Sequence, residues 1–156
     1  MPRMILVQLL WTVVLLVPYV LLRKRFLYVT AASLLFDPLS TALSEKEKNK
    51  VVFLHLMGCH TEYRKRYPHD FEQFKGAKDK QGKTVDAYDN AVYYNDFVID
   101  SMFSLLRDYS QLHPDVRISA LYFSDHGENV YDEGDYCGHN YSDRIPHANV
   151  EIPFIL

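Results

Sequence analysis

The sequence predicts an α/β fold on three observations. Val51–Met57 is a nearly continuous apolar run bounded by Lys50 and Gly58, as expected for a strand buried on both faces of a parallel or mixed sheet. From about Thr84 to Leu112, Tyr88, Ala91, Val92, Asn95, Val98, Ile99, Met102, Leu105, Leu106 and Tyr109 recur at three- and four-residue steps, the period of a helix. Two further apolar runs, Ile118–Phe123 and Val150–Leu156, follow it. Strand, helix, strand, long loop, strand is the order of a sheet covered by crossover helices.

Taken in order, the chain opens on its most apolar part. It has 156 residues, 48% hydrophobic, 24% charged and with a formal net charge of -3, yet most of the apolar excess falls before residue 44. Met4–Leu22 is interrupted by Gln8 and Thr12 and carries no charge, close to the length of about 20 residues that a helix needs to cross a bilayer. Pro18 is tolerated in such helices. A cleaved signal peptide competes with this reading, but Arg23-Lys24-Arg25 stands where a small-residue cleavage site is expected. Residues 1–25 are therefore read as a transmembrane or signal-anchor helix, although the basic flank favours a cytoplasmic side for the chain beyond Arg25. Residues 26–43 form an apolar linker or packed helix, since Phe26–Phe36 is too short to span. The polar segment from Ser44 to Lys50 opens a single domain over 44–156, preceding its first strand.

Composition narrows the function. With 17 Lys and Arg against 20 Asp and Glu, the basic footprint of a nucleic-acid binder is missing. Two cysteines exclude a disulfide-dense scaffold, and 14% aromatic residues argue for a folded chain. Thr61–Lys83, charged and without a sustained period, reads as a long surface connection; Pro114 stops the helix.

Chemistry concentrates at strand ends. Ser124-Asp125-His126-Gly127-Glu128 directly follows the strand Ile118–Phe123, where open α/β sheets bind ligands. Asp and His suit zinc or a similar divalent ion. Adjacent strand residues point to opposite faces, so Asp125 and His126 share an ion only if the strand breaks there, which Gly127 permits. The competing reading is a turn with a surface histidine. A second motif, His55-Leu56-Met57-Gly58-Cys59-His60, ends the first strand. His55 falls inside the apolar run and reads as a hydrogen-bonded core residue, whereas His60 lies beyond the glycine in the loop. His139 follows Gly138 on the same loop as the Asp-His pair. Strand-end loops that carry His or Asp suit a divalent metal beneath a phosphate or sulfate ester, the metal acting as Lewis acid.

HLMGCH (55–60), RYP (66–68), YDNAVYYNDFVID (88–100), YFSDHGE (122–128), GH (138–139) and EIPF (151–154), in this order, together resemble the catalytic domain of bacterial phosphoethanolamine transferases. These are membrane enzymes of the sulfatase and alkaline-phosphatase superfamily. The resemblance implies a partial sulfatase-like sheet with covering helices, Zn2+ held by Asp125 and His126, and substrate phosphate or a second zinc contacted by His60 and His139. It also implies transfer of phosphoethanolamine from phosphatidylethanolamine to a lipid A or lipopolysaccharide sugar, at the inner membrane with the catalytic part in the periplasm. The family's covalent step uses a threonine that lies, with an acidic zinc ligand, well upstream of HxxGxH. Here Thr12, Thr30 and Thr41, and Asp37, Glu45 and Glu47, lack that context, so the chain is expected to be the C-terminal part of such a domain. The alternatives are an inactive fragment and a sulfatase-like hydrolase, the latter without a Cys/Ser-x-Pro-x-Arg motif.

The remaining polar residues receive structural readings. Glu128 is a turn residue or one that supports a ligand from behind. His147 is a surface histidine, and His69 and His113 carry no ligand signal. Tyr88, Asp89 and Asn90 lock the long helix against the metal loops. Cys59 and Cys137 each lie within two residues of a candidate histidine, and either a disulfide or two free thiols fits.

Overall fold

The computed structural model describes residues 3–6, 34–46, 49–139 and 144–156. Its elements are β1 (Arg3–Leu6), α1 (Phe36–Ser44), β2 (Lys50–Phe53), two 3-10 turns (Tyr63–Lys65 and His69–Phe71), α2 (Lys80–Leu112), β3 (Tyr122–Phe123), β4 (Asn129–Val130), β5 (Cys137–Gly138), a third 3-10 turn (His147–Asn149) and β6 (Phe154–Ile155). The strands form three separate pairs: β1 parallel to β2, β3 antiparallel to β6, and β4 antiparallel to β5.

The α/β class stands, and the long helix is where its periodicity put it. It begins four residues before Thr84 because Asp79, in extended backbone, caps it by accepting from the Gly82 N–H at 2.8 Å. It ends at Leu112, just before Pro114. Ala91, Tyr94, Val98 and Met102 on its inner face form one cluster with Leu39 of α1 and with Tyr63 and Tyr67 of the connection. Around them Phe71 contacts the rings of Tyr94 at 4.8 Å and Phe97 at 5.0 Å, adding aromatic contact to the area buried.

Helix α1 is tied down at its C-terminal end, where helix carbonyls lack internal partners. Lys50 Nζ donates to the Ala42 and Leu43 carbonyls at 2.8 and 2.7 Å, and the Tyr109 hydroxyl donates to Leu43 at 2.8 Å. A cation at that end also suits the helix dipole. These bonds join the start of β2 and the last turn of α2 to one point.

Several expectations are corrected. The strand at 51–57 shortens to Lys50–Phe53 and is not buried on both faces: Val51 and Phe53 are 41% and 56% exposed while Val52 packs on the core. One face meets α1 and α2, and no described element covers the other, so burial alternates with the pleat. The runs 118–123 and 150–156 each contribute only two paired residues, Tyr122 opposite Ile155 and Phe123 opposite Phe154. The apolar tracts extend further than the ladder between them. The segment 61–83 is not merely a surface connection, because Tyr63, Arg66 and Tyr67 are buried in it. His55 is exposed rather than a core histidine.

The helix expected from Met4 is not met at its first residues, since Arg3–Leu6 pair as a strand with β2; an apolar run alone does not separate the two states. The rest of that reading, and most of Phe26–Phe36, lies outside the described residues. No helix among the described residues is long and apolar enough to cross a membrane.

Candidate functional site

The site is assembled by a hairpin. Asn129 stands opposite Gly138 and Val130 opposite Cys137, so the next pair outward is Glu128 and His139. Asn129, 0% exposed, builds the turn between the strands from within. Its Nδ2 donates to the Glu133 and Tyr136 carbonyls at 3.1 and 2.9 Å, and its Oδ1 accepts from the Glu133 N–H at 2.9 Å. Asp132 accepts from the Val130 N–H at 2.9 Å. A buried amide with its bonds made fixes one turn geometry.

Three histidines converge there. The His139 ring lies 4.2 Å from that of His126 and 6.3 Å from that of His60, centroid to centroid. His126 is held by its own loop, with Nδ1 2.7 Å from the Gly127 carbonyl and the Ser124 hydroxyl donating to the His126 carbonyl at 2.7 Å. Gly127 is required because the chain 148–151 crosses over it: an added Cβ would lie 2.0 Å from the Ala148 carbonyl oxygen, while the Gly127 N–H donates to Asn149 at 2.9 Å. His60 is placed by Arg66, whose guanidinium donates to the His60 and Thr61 carbonyls at 2.8 and 2.7 Å.

Glu128 is the link between this cluster and the core. Its side chain is only 9% exposed. One oxygen accepts from the Tyr63 hydroxyl at 2.5 Å, and the other lies 3.0 Å from His139 Nδ1. Tyr63 in turn stands edge-on to Tyr88 at 5.1 Å and 3.2 Å from the Cys137 sulfur. Burial, then hydrogen bonds to Cys137 and Glu128, push the Tyr63 hydroxyl well above the usual phenol range, so it remains a donor. Tyr88 thus braces the site through Tyr63. Asn90 instead clasps the connection, accepting from the Gln73 and Phe74 N–H groups at 2.7 and 2.9 Å.

Ligand atoms of His126, Glu128 and His139 all lie within 4.8 Å of one another. Asp125 stands outside this group, with its side chain 85% exposed and Oδ1 3.9 Å from His126 Nε2. Imidazole and carboxylate are the donors that zinc and similar divalent ions take. Donor atoms of a tetrahedral site with ~2 Å bonds lie about 3.3 Å apart, so Asp125 Oδ1, at 3.9 Å, would have to close slightly on His126 Nε2 to share an ion with it. Cys59 and Cys137 are both free thiols. His147 is exposed beside Glu151 at 3.5 Å. A groove of about 540 Å³ between α1 and the last turns of α2 is lined by Phe36, Leu43, Asp108 and Tyr109 among others and contains none of the histidines.

Comparison with known proteins gives this arrangement a family. The sulfatase family pattern matches residues 23–156. The chain belongs to the sulfatase family. It is 32% identical over 128 residues to phosphoethanolamine transferase EptC of Escherichia coli, covering 76% of this chain and 21% of that protein. It is 31% identical over 132 residues to phosphoethanolamine transferase EptA of Helicobacter pylori, covering 80% of this chain and 24% of that protein. The fold matches the crystal structure of the soluble domain of lipooligosaccharide phosphoethanolamine transferase A from Neisseria meningitidis, with TM-score 0.68 at 24% identity over 85% of this chain and 43% of that one. The chain therefore spans about a fifth to a quarter of the length of these transferases.

Tyr63 and Asn129 were not legible as site residues, and Arg66 stood out only within the RYP motif, with no role attached to it. The one signal for Tyr63 is a pair of tyrosines four apart, Tyr63 and Tyr67, inside an otherwise charged segment, a spacing that sets two rings on one face of a helical turn.

Proposed function

We propose that this chain is a zinc-binding portion of an enzyme that transfers phosphoethanolamine from phosphatidylethanolamine to a lipid A or lipopolysaccharide sugar, working at the bacterial inner membrane with its site on the periplasmic side. The convergence of His60, His126 and His139 carries this reading, because a phosphodiester needs several polar groups around one phosphoryl group. Similarity to transferases named for phosphoethanolamine, one of them for lipooligosaccharide, supplies the substrate class. Asp125 and His126 would hold the ion, which when bound supplies a Lewis acid for a phosphoryl oxygen. His60 and His139 flank the place for that group, and Glu128 holds His139 from behind.

The described threonines differ in setting: Thr41 and Thr84 bond helix carbonyls, while Thr61 Oγ1 lies 3.0 Å from His60 Nδ1. None is assigned the covalent step. Two measurements test the proposal. Asp125→Ala should abolish stoichiometric zinc in the purified chain by elemental analysis, and unchanged metal would overturn the ligand assignment. Vesicles containing phosphatidylethanolamine should bind the zinc-loaded chain more tightly than vesicles lacking it, and His60→Ala should remove the difference; equal binding would overturn the donor assignment. Cleavage of simple phosphate or sulfate esters without transfer would favour a hydrolase.

A further inference from the structure

Within the cluster, His126 and His139 are anchored alike although they come from different parts of the loop. His126 turns Nδ1 to the Gly127 carbonyl at 2.7 Å, and His139 turns Nδ1 to Glu128 Oε2 at 3.0 Å. Both partners are oxygen acceptors, and an oxygen acceptor places the ring proton on the nitrogen that faces it. The other nitrogen, Nε2, is then left with a free lone pair. In metal and phosphoryl-transfer sites such oxygens behind the ring set both tautomer and orientation.

We propose that Glu128 is a positioning residue that fixes His139 in the Nδ1–H tautomer, so that His139 offers Nε2 to the cluster as a lone-pair donor for a cation or for the proton of an attacking hydroxyl. Both Glu128 oxygens are already engaged by protein partners. Its Oε1 accepts from Tyr63 at 2.5 Å, its Oε2 serves His139, and its side chain is 9% exposed. The hairpin register that sets 128 opposite 139 delivers the pair, and Tyr63, beside Tyr88 and Cys137, bonds the carboxylate's other oxygen. The placement distinguishes His139 from a neutral histidine with its proton on Nε2, which would donate to a phosphate oxygen. It deepens the transferase reading by assigning His139 the accepting role, and it rests on that reading only for what the nitrogen meets.

Nitrogen-15 spectra of histidine-labelled, metal-free full chain test it directly. In the wild type His139 should carry its proton on Nδ1. Glu128→Ala, which removes the acceptor, should move the population toward Nε2–H, the form a free imidazole prefers, while His126 keeps its tautomer. Tyr63→Phe leaves the Glu128–His139 bond in place and should leave the proton on Nδ1. A wild-type His139 protonated on Nε2, or an unchanged tautomer in Glu128→Ala, would overturn the proposal. The wild-type spectrum decides even if the alanine variant does not fold. Zinc titration then separates the two readings: failure to bind zinc, with the expected tautomers present, removes the proposed function and leaves the positioning role intact.

Discussion

The inner face of α2 and the hairpin at 128–139 hold their residues in place by opposite means. On α2, Ala91, Tyr94, Val98 and Met102 are buried against α1 and the tyrosines of the connection, so cohesion is spread over many weak contacts. In the hairpin the fully buried side chain is Asn129, and the geometry rests on a few hydrogen bonds that it and Glu128 make. Spread contacts resist any one loss of direction but set total stability. Concentrated polar bonds contribute less in sum, yet each decides where a functional side chain points.

That contrast can be broken at several places, in falling order of effect. Met102→Ala should lower global stability by about 2–5 kcal/mol, as for other buried large-to-small changes. Denaturant midpoints read at the α2 aromatics and at the histidine loop should fall together, and independent transitions would show that the two regions are not one cooperative unit. Asn129→Ala should cost about 1–3 kcal/mol through the backbone groups left unpaired. Here the loss should be local: amide exchange should speed at Glu133, whose N–H donates to Asn129 Oδ1, while Val98 and Met102 keep their protection.

An effect confined to alkaline pH concerns Cys59, whose thiol burial raises to about 12 from 9.0, with Asp96 adding to the shift. A raised pKa means that the folded state holds the proton more tightly, so this contribution is complete below about pH 9 and is lost as pH climbs toward 12. Stability measured over that range should decline, and Cys59→Ala should flatten the decline. An identical slope in the variant would assign it to other groups.

The core was more legible than the site. Helix period is local, and the inner-face residues of α2 could be read off the sequence with its end at Pro114. Strand lengths could not, because Val51–Met57, Ile118–Phe123 and Val150–Leu156 are apolar beyond the few residues that find a partner, and pairing is a property of two segments. The site divides similarly. His126, His60 and His139 stand out as histidines beside glycines at strand ends, and the structure brings their rings together. Asp125 stands out equally; its side chain is 85% exposed, with its carboxylate 3.9 Å from His126 Nε2. Glu128 has nothing in the sequence to distinguish the carboxylate of a turn from one that holds a histidine.

By itself the sequence determined the α/β class, the long helix, and which histidines and carboxylate are chemically equipped for a cation and a phosphate. Tertiary structure alone decided how they are aimed. Tyr63 reaches Glu128 across 65 residues and Cys137 across 74, and Glu128 meets His139 only because Asn129 closes a turn between them. Composition and periodicity act over a few residues, whereas a side-chain hydrogen bond between remote loops exists only after the chain has closed on itself and the cost of that closure has been met elsewhere, here by the packing along α2.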